Sequence, residues 1–355
     1  MLTSKISIKH LMAVITLFLS LSGGAWAQGS RSANLAELAR YSGRDRERVL
    51  YEGAKKEGKL LWYTSLVPHK YIAKVFGAKY PGVAVDVYRA AGTTLAVRLL
   101  EERRAKRYLA DAIESTPPQL MMLRDGQALQ PFSSPHLAKY PEIAKERAGG
   151  DLVFWATDRE SLIGVGYNKN VMRADAIPKR FDDLLNPALK GLMSSANNET
   201  GARAIGAMLK AKGEGFVRKL KDQDIRPHGT TAAGLTDLII SGEAPISFTM
   251  VQTNLTQPAA SKGAPVAWVP MEVVAVNAGS AAVLANAPNP HAALLFVDFL
   301  LGPQGQKMYS EELFYGSAAK VSGFERWYPE KGVAMEEYDR RADGWLKLLD
   351  EITRK

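Results

Sequence analysis

The chain has 355 residues, a formal net charge of +9 and no cysteine. The missing cysteine excludes disulfides, thiolate nucleophiles and Cys-based zinc or iron–sulfur sites. The basic surplus is dispersed: its one dense run, Glu101-Glu-Arg-Arg-Ala-Lys-Arg107, mixes both signs like a solvated helix face, and no nucleic-acid-binding module is present.

In chain order, Met1–Ala27 comes first, with Lys5 and Lys9, no acidic residue, an apolar run Leu11–Leu21 and the exit Ala25-Trp26-Ala27. This is the pattern of a cleaved secretory signal peptide, and the run is shorter than the roughly 20 residues that span a bilayer. Its removal takes the charge from +9 to +7. The roughly 325 residues left exceed one typical core, so two lobes and an exported, soluble product are expected. Gln28–Arg48 is polar and reads as loose, ahead of a helix at Asp45–Lys56. Strand Leu60–Tyr63 leaves through Thr64-Ser65-Leu66-Val67-Pro68-His69 into helix Lys70–Lys79. Strand Val83–Tyr88, the loop Arg89–Thr94, a helix through Arg107 and strand Ala110–Glu114 follow, the last ending in Ser115-Thr116 before two prolines. Strands alternating with helices imply a parallel sheet, with ligands beyond the carboxyl ends of its strands.

Ser161–Tyr167 reads as a short buried strand, and Asn168-Lys169-Asn170 as a turn, because Asn tolerates backbone angles that most residues avoid. Asp182 is expected to cap a short helix Asp183–Leu185, Pro187 to stop it and Gly191 to open strand Leu192–Ala196. Helices are expected at Ala202–Lys212, Phe216–Gln223 and Gly234–Ser241, and strands at Ile225–His228 and Ile246–Met250. Glu272–Val276 and Ala281–Leu284 read as two return strands, Asn289–Leu301 as an apolar helix, Gly302–Gln306 as the start of another, and the tail from Trp327 as polar and helical.

Several segments together carry a likeness: Tyr167-Asn168 with Ile177–Gly191, Leu129–Ser134, Gly263–Pro270 and Asn289–Gln306. They resemble bacterial periplasmic solute-binding proteins of ABC importers, of the ferric-ion and small-anion type. The likeness runs from about Gly58 to Lys320, with Ala188-Leu189 where an aromatic residue usually sits. It implies an α/β fold of the type II periplasmic-binding kind, two lobes with mixed sheets joined by two hinge strands. The expected parts are a signal peptide 1–27, an extension and helix 28–56, lobe one 57–160, a hinge strand 161–167 and lobe two 168–270. A hinge return 271–276, the rest of lobe one 277–326 and a helical tail 327–355 complete it. The likeness also implies a periplasmic monomer, without cofactor or catalysis, that delivers a small solute to permease subunits of an ABC importer.

The candidate ligand-binding residues are Thr64, Ser65, Arg89, Thr93, Thr94 and Ser115 in lobe one, and Asn197, Glu199, Thr200, Thr230, Thr231 and Gln252 in lobe two. Three expected helix starts, at Gly92-Thr93-Thr94, Asn198-Glu199-Thr200 and Gly229-Thr230-Thr231, combine hydroxyls with unpaired N–H groups that suit an anion. Plain helix capping is the alternative reading of each. Arg89 adds a planar grip for a carboxylate or phosphoryl group. Ferric iron is the rival ligand, with His69 and Glu114 as secondary candidates. The resembled iron binders place adjacent tyrosines after the strand matching Ile246–Met250; here Val251-Gln252-Thr253-Asn254 stands, which argues against direct ferric capture and suits an organic, hydrogen-bonding ligand. A ligand-presenting partner of a membrane sensor kinase and a secreted enzyme are further alternatives, though no HExxH or GxSxG motif is present.

Overall fold

The structure, a computed structural model, describes residues 35–354; the signal-peptide segment lies outside them. The polar stretch read as loose is helical at 35–40, where Leu35 and Ala39 are buried in the core. Helix α1 (Arg46–Glu57) ends at Gly58, whose φ of 76° and N–H bond to the Ala54 carbonyl form a left-handed cap that favours glycine. Strands β1 (Lys59–Thr64), β2 (Ala84–Arg89) and β3 (Ala112–Ser115) then pair in parallel in the order β2-β1-β3. Helices α2 (His69–Lys79), α3 (Gly92–Arg104) and α4 (Pro117–Asp125) follow them in turn.

After the short strands β4 (Leu129–Gln130) and β5 (Lys145–Gly149) comes β6, which runs unbroken from Leu152 to Asn168. The turn after it is held less by backbone angle than by the Asn168 side chain: Oδ1 accepts from Asn170 N at 2.8 Å, and Nδ2 donates to the Ile239 and Ile240 carbonyls. Beyond it, Asp183 rather than Asp182 caps the short 3-10 turn Phe181–Leu185, accepting from Lys179 N and Arg180 N, while Asp182 pairs with Lys212.

The second parallel set comprises β7 (Met193–Ala196), β8 (Arg226–His228) and β9 (Ile246–Val251), in the order β9-β7-β8. Among them run α5 (Glu199–Lys212), α6 (Glu214–Lys219), α7 (Ala232–Ser241) and α8 (Gln252–Lys262); the last was not expected, and it holds Pro258 inside it. β10 (Val266–Val269) pairs with β6. β11 (Val273–Leu284) joins the two predicted return strands into one. Helix α9 (Pro290–Leu301) is buried from Ala292 to Leu301, as expected for a helix apolar all round. Then α10 (Pro303–Lys307), β12 (Glu325–Trp327) beside β11, and α11 (Met335–Thr353) complete the chain.

The full sheet order is β2-β1-β3-β11-β6-β9-β7-β8, mixed because β11 is antiparallel to β3 and β6, and β6 to β9. Register fixes how its two ends relate. Ser115, at the carboxyl end of β3, pairs with Ser280, which pairs with Thr157. Val251, at the carboxyl end of β9, pairs with Ile163. The first parallel set runs with β6 and the second against it, so both carboxyl edges stop short of the same five residues of β6, 158–162, with about 20 Å of extended chain from Thr157 to Ile163. Separate cores form on the two sides of that stretch. In lobe one, Trp62, Phe76 and Phe296 lie on one face of the sheet, and Tyr63, Leu95 and Trp155 on the other. In lobe two, Val165, Phe248 and the buried stripe of α11 form one cluster, and Leu235, Met250 and Leu255 another.

Candidate ligand-binding cleft

Lobe one presents its carboxyl edge through loops tied to one carbonyl. Leu66 O accepts from Arg89 Nε at 3.0 Å and lies 3.0 Å from His69 Nδ1. Thr64 is buried: its hydroxyl donates to Glu114 Oε2 at 2.8 Å and accepts from Leu66 N at 3.0 Å. Ser65 is half-buried beside it. Arg89 is exposed, and among the described residues only its Nε makes a hydrogen bond. Helix α3 starts after Ala91, which has no side chain to cap it, so the first-turn N–H groups stay open, with Thr93 and Thr94 exposed on that turn. Ser115 is fully buried, its hydroxyl has no partner, and it lies 3.0 Å from where a Cβ on Gly92 would stand.

The lobe two edge is more occupied with itself. Asn197 donates to Asp350 Oδ1 at 2.9 Å and Thr353 Oγ1 at 3.1 Å, which commits its amide to α11. Asn198 Oδ1 accepts from Thr200 N and Gly201 N, while its Nδ2 donates to the Thr230 carbonyl. Thr231 Oγ1 accepts from Gly234 N. Two of the three predicted helix starts are thus capped in the ordinary way. Glu199 is exposed and pairs with Arg203 at 3.0 Å. Gln252 and Asn254, half-buried at the start of α8, make no side-chain hydrogen bond among the described residues. Thr253 Oγ1 donates to the Phe314 carbonyl at 3.1 Å, a direct contact between the lobes.

Between the edges, β6 carries three consecutive buried charges, Asp158, Arg159 and Glu160. Arg159 pairs with Glu114 at 2.9 Å, donates to Ser161 Oγ at 3.1 Å and stands 5.2 Å from the Tyr315 ring centre. Gly279 opposite leaves room for this pair, since a Cβ there would fall 2.5 Å from both Arg159 Nε and Glu114 Oε1 and displace them. Tyr309 donates to Asp158 at 2.6 Å; burial and then the charge of Glu114 push that carboxyl up to about 7, against the pull of Arg159. Glu160 accepts from Tyr328 and pairs with Arg326. On the lobe two side, buried Arg203 pairs with Glu330 and reaches the Val276 carbonyl, and Asn277 Oδ1 is buried without a partner. None of Arg159, Arg203 and Asn277 was singled out from sequence, although three charges inside an otherwise apolar strand were visible there.

His69 and Glu114, the secondary candidates for a metal, lie on the lobe one edge, His69 Nδ1 beside the Leu66 carbonyl. Glu114 is fully buried and held by Thr64 and Arg159, and among the described residues no three His, Asp or Glu side chains gather to hold a metal ion. A cavity of about 390 Å³ lies beside Pro117, Trp155 and Thr157 under Tyr328–Ala334, and no residue of the lobe two edge lines it.

A mixed sheet whose two parallel sets end on one polar stretch defines a two-lobed α/β binding protein of type II architecture. The chain belongs to the bacterial extracellular solute-binding protein family, whose model matches residues 68–312. It is similar to an uncharacterized protein of Haemophilus influenzae, 26% identical over 270 residues, covering 72% of this chain and 76% of that one. Two solved structures share the fold. IdiA (FutA) of Trichodesmium, in complex with iron and citrate, is 19% identical with a TM-score of 0.64, over 84% of this chain and all of its own. AfuA of Actinobacillus pleuropneumoniae, with fructose-6-phosphate bound, is 19% identical with a TM-score of 0.59, over 83% of this chain and 99% of its own. The expected fold and family both hold, and the chain is a solute-binding protein of the ABC-importer type. No helix among the described residues is long and apolar enough to cross a membrane.

Proposed function

We propose that the protein works in the periplasm as a monomer, capturing a small anionic organic solute between its lobes and handing it to the permease subunits of an ABC importer. The observation that carries this reading is the convergence of both carboxyl edges on one stretch of β6, with an exposed Arg89 and the uncapped start of α3 at that level. β6 and β11 act as the hinge, flexing near residues 158–162 and 276–279, within the unbroken strands that pass between the lobes. A solute touching both edges favours the closed form over the open one. Lobe one is residues 57–160 with 277–326, and lobe two is 168–270 joined by the tail from 327.

Ferric iron is the second reading, because IdiA (FutA) was solved with iron and citrate. Against it, the start of α8 offers amides and a hydroxyl where a phenol pair would be needed. A thermal-shift panel of ferric salts, carboxylates, phosphates and phosphonates separates the two. Stabilisation by organic anions alone is the expected result, and stabilisation by ferric salts alone transfers the assignment to iron.

A further inference from the structure

We propose that the solute is bipartite and is held in one orientation. Its oxyanion, a carboxylate or phosphoryl group, sits on lobe one against Arg89, the open start of α3 and Ser115. Its neutral, hydroxyl- or amide-bearing end meets Gln252 and Asn254 of lobe two. This rests on the cleft being an anion receptor and adds which end goes where.

Four observations carry it. First, charge is asymmetric: residues 196–200, 228–231 and 251–254 of the lobe two edge include no Lys or Arg, and behind them Glu199 and Glu330 share the single cation Arg203. Second, donors are asymmetric, since Asn198 and Thr231 already cap the starts of α5 and α7, while no side chain caps α3. Helix α8 also starts uncapped, after Val251, but with Gln252 and Asn254 and no cation it is a neutral donor set. Third, the hydrogen bond from Arg89 Nε to Leu66 O fixes the guanidinium plane and leaves both terminal nitrogens for a forked grip on two oxygens. Fourth, the Ser115 hydroxyl is fully buried and unpartnered, and it abuts the first residue of α3. A buried hydroxyl without a partner is costly, and an oxyanion drawn onto the start of α3 accepts a hydrogen bond from it.

Calorimetric titration of the purified chain with inorganic phosphate, glycerol 3-phosphate, glycerate and glycerol tests the orientation. The wild type is expected to bind glycerol 3-phosphate or glycerate, the preference between them naming the headgroup, and to ignore glycerol. Arg89→Gln and Ser115→Ala are each expected to weaken the anion that binds by about tenfold, a usual scale for a lost charge-assisted hydrogen bond. Gln252→Ala is expected to act more on the glycerol-bearing anion than on inorganic phosphate. Arg89 is exposed, so its variant reports even if Ser115→Ala does not fold. Affinities within twofold of wild type for both lobe one variants, with inorganic phosphate lost on Gln252→Ala, overturn the orientation and leave the anion-receptor reading intact. A wild type that binds neither glycerol 3-phosphate nor glycerate overturns that reading, and the orientation falls with it.

Discussion

Glu114 and Arg159 meet at 2.9 Å with side chains 0% and 8% exposed, so neither charge is stable without the other. Taking one partner from a buried pair strands the second. Arg159→Met is therefore expected to cost about 3–5 kcal/mol in urea unfolding, and adding Glu114→Leu to recover much of it. Asp158 makes a pH prediction. Its folded carboxyl is raised to about 7 from an ordinary value of 3.8. Between those values the unfolded chain gives up a proton that the folded chain keeps, so Asp158 lowers stability as pH rises from about 4 to 7, with no further change above. Melting temperatures across that range should fall less steeply for Asp158→Asn than for the wild type. The charges of Asp158-Arg159-Glu160 were visible in the sequence. The partners of Asp158 and Glu160 were not, because Tyr309, Arg326 and Tyr328 arrive from segments 151 to 168 residues further along the chain. Asn168 shows a different limit: the turn was foreseen, but its side-chain bonds to the Ile239 and Ile240 carbonyls depend on tertiary packing.

Among the elements, α11 departs most from its expectation. Its composition is polar, yet Tyr338, Trp345, Leu348, Leu349 and Ile352 recur at helical spacing and are buried in lobe two. Counting polar residues hid a stripe that periodicity reveals. Trp345 packs against Trp327 at 5.5 Å between ring centres and is 8% exposed. Trp345→Ala is expected to destabilise the protein by about 3–5 kcal/mol, measured by chemical denaturation, since an edge cavity remains where the indole stood. The helix starts were legible in position because Gly, Asn and Thr mark them, but not in state. Whether Asn198 faces a ligand or caps its own helix depends on a rotamer that one-dimensional spacing does not fix.

For the whole molecule, two lobes followed from chain length and alternating strands and helices, and the family motifs covered most of the chain. The hinge strands were read too short because buried charges interrupt the apolar run of β6, and Asn277 and Gly279 interrupt that of β11. Closure on a solute predicts a smaller radius of gyration in solution scattering with bound ligand than without. An unchanged profile with a ligand that calorimetry shows to bind would rule out lobe closure as the capture step.

The route of the last residues bears on that motion. After β11 the chain returns to lobe one through α9, then departs again past Tyr328 and Glu330 to seat α11 in lobe two. Two flat plates fastened along one seam can slide past each other as well as fold. A further strap on a different line removes the sliding, and what remains is a nod about one axis, which brings the same atoms of both plates together each time.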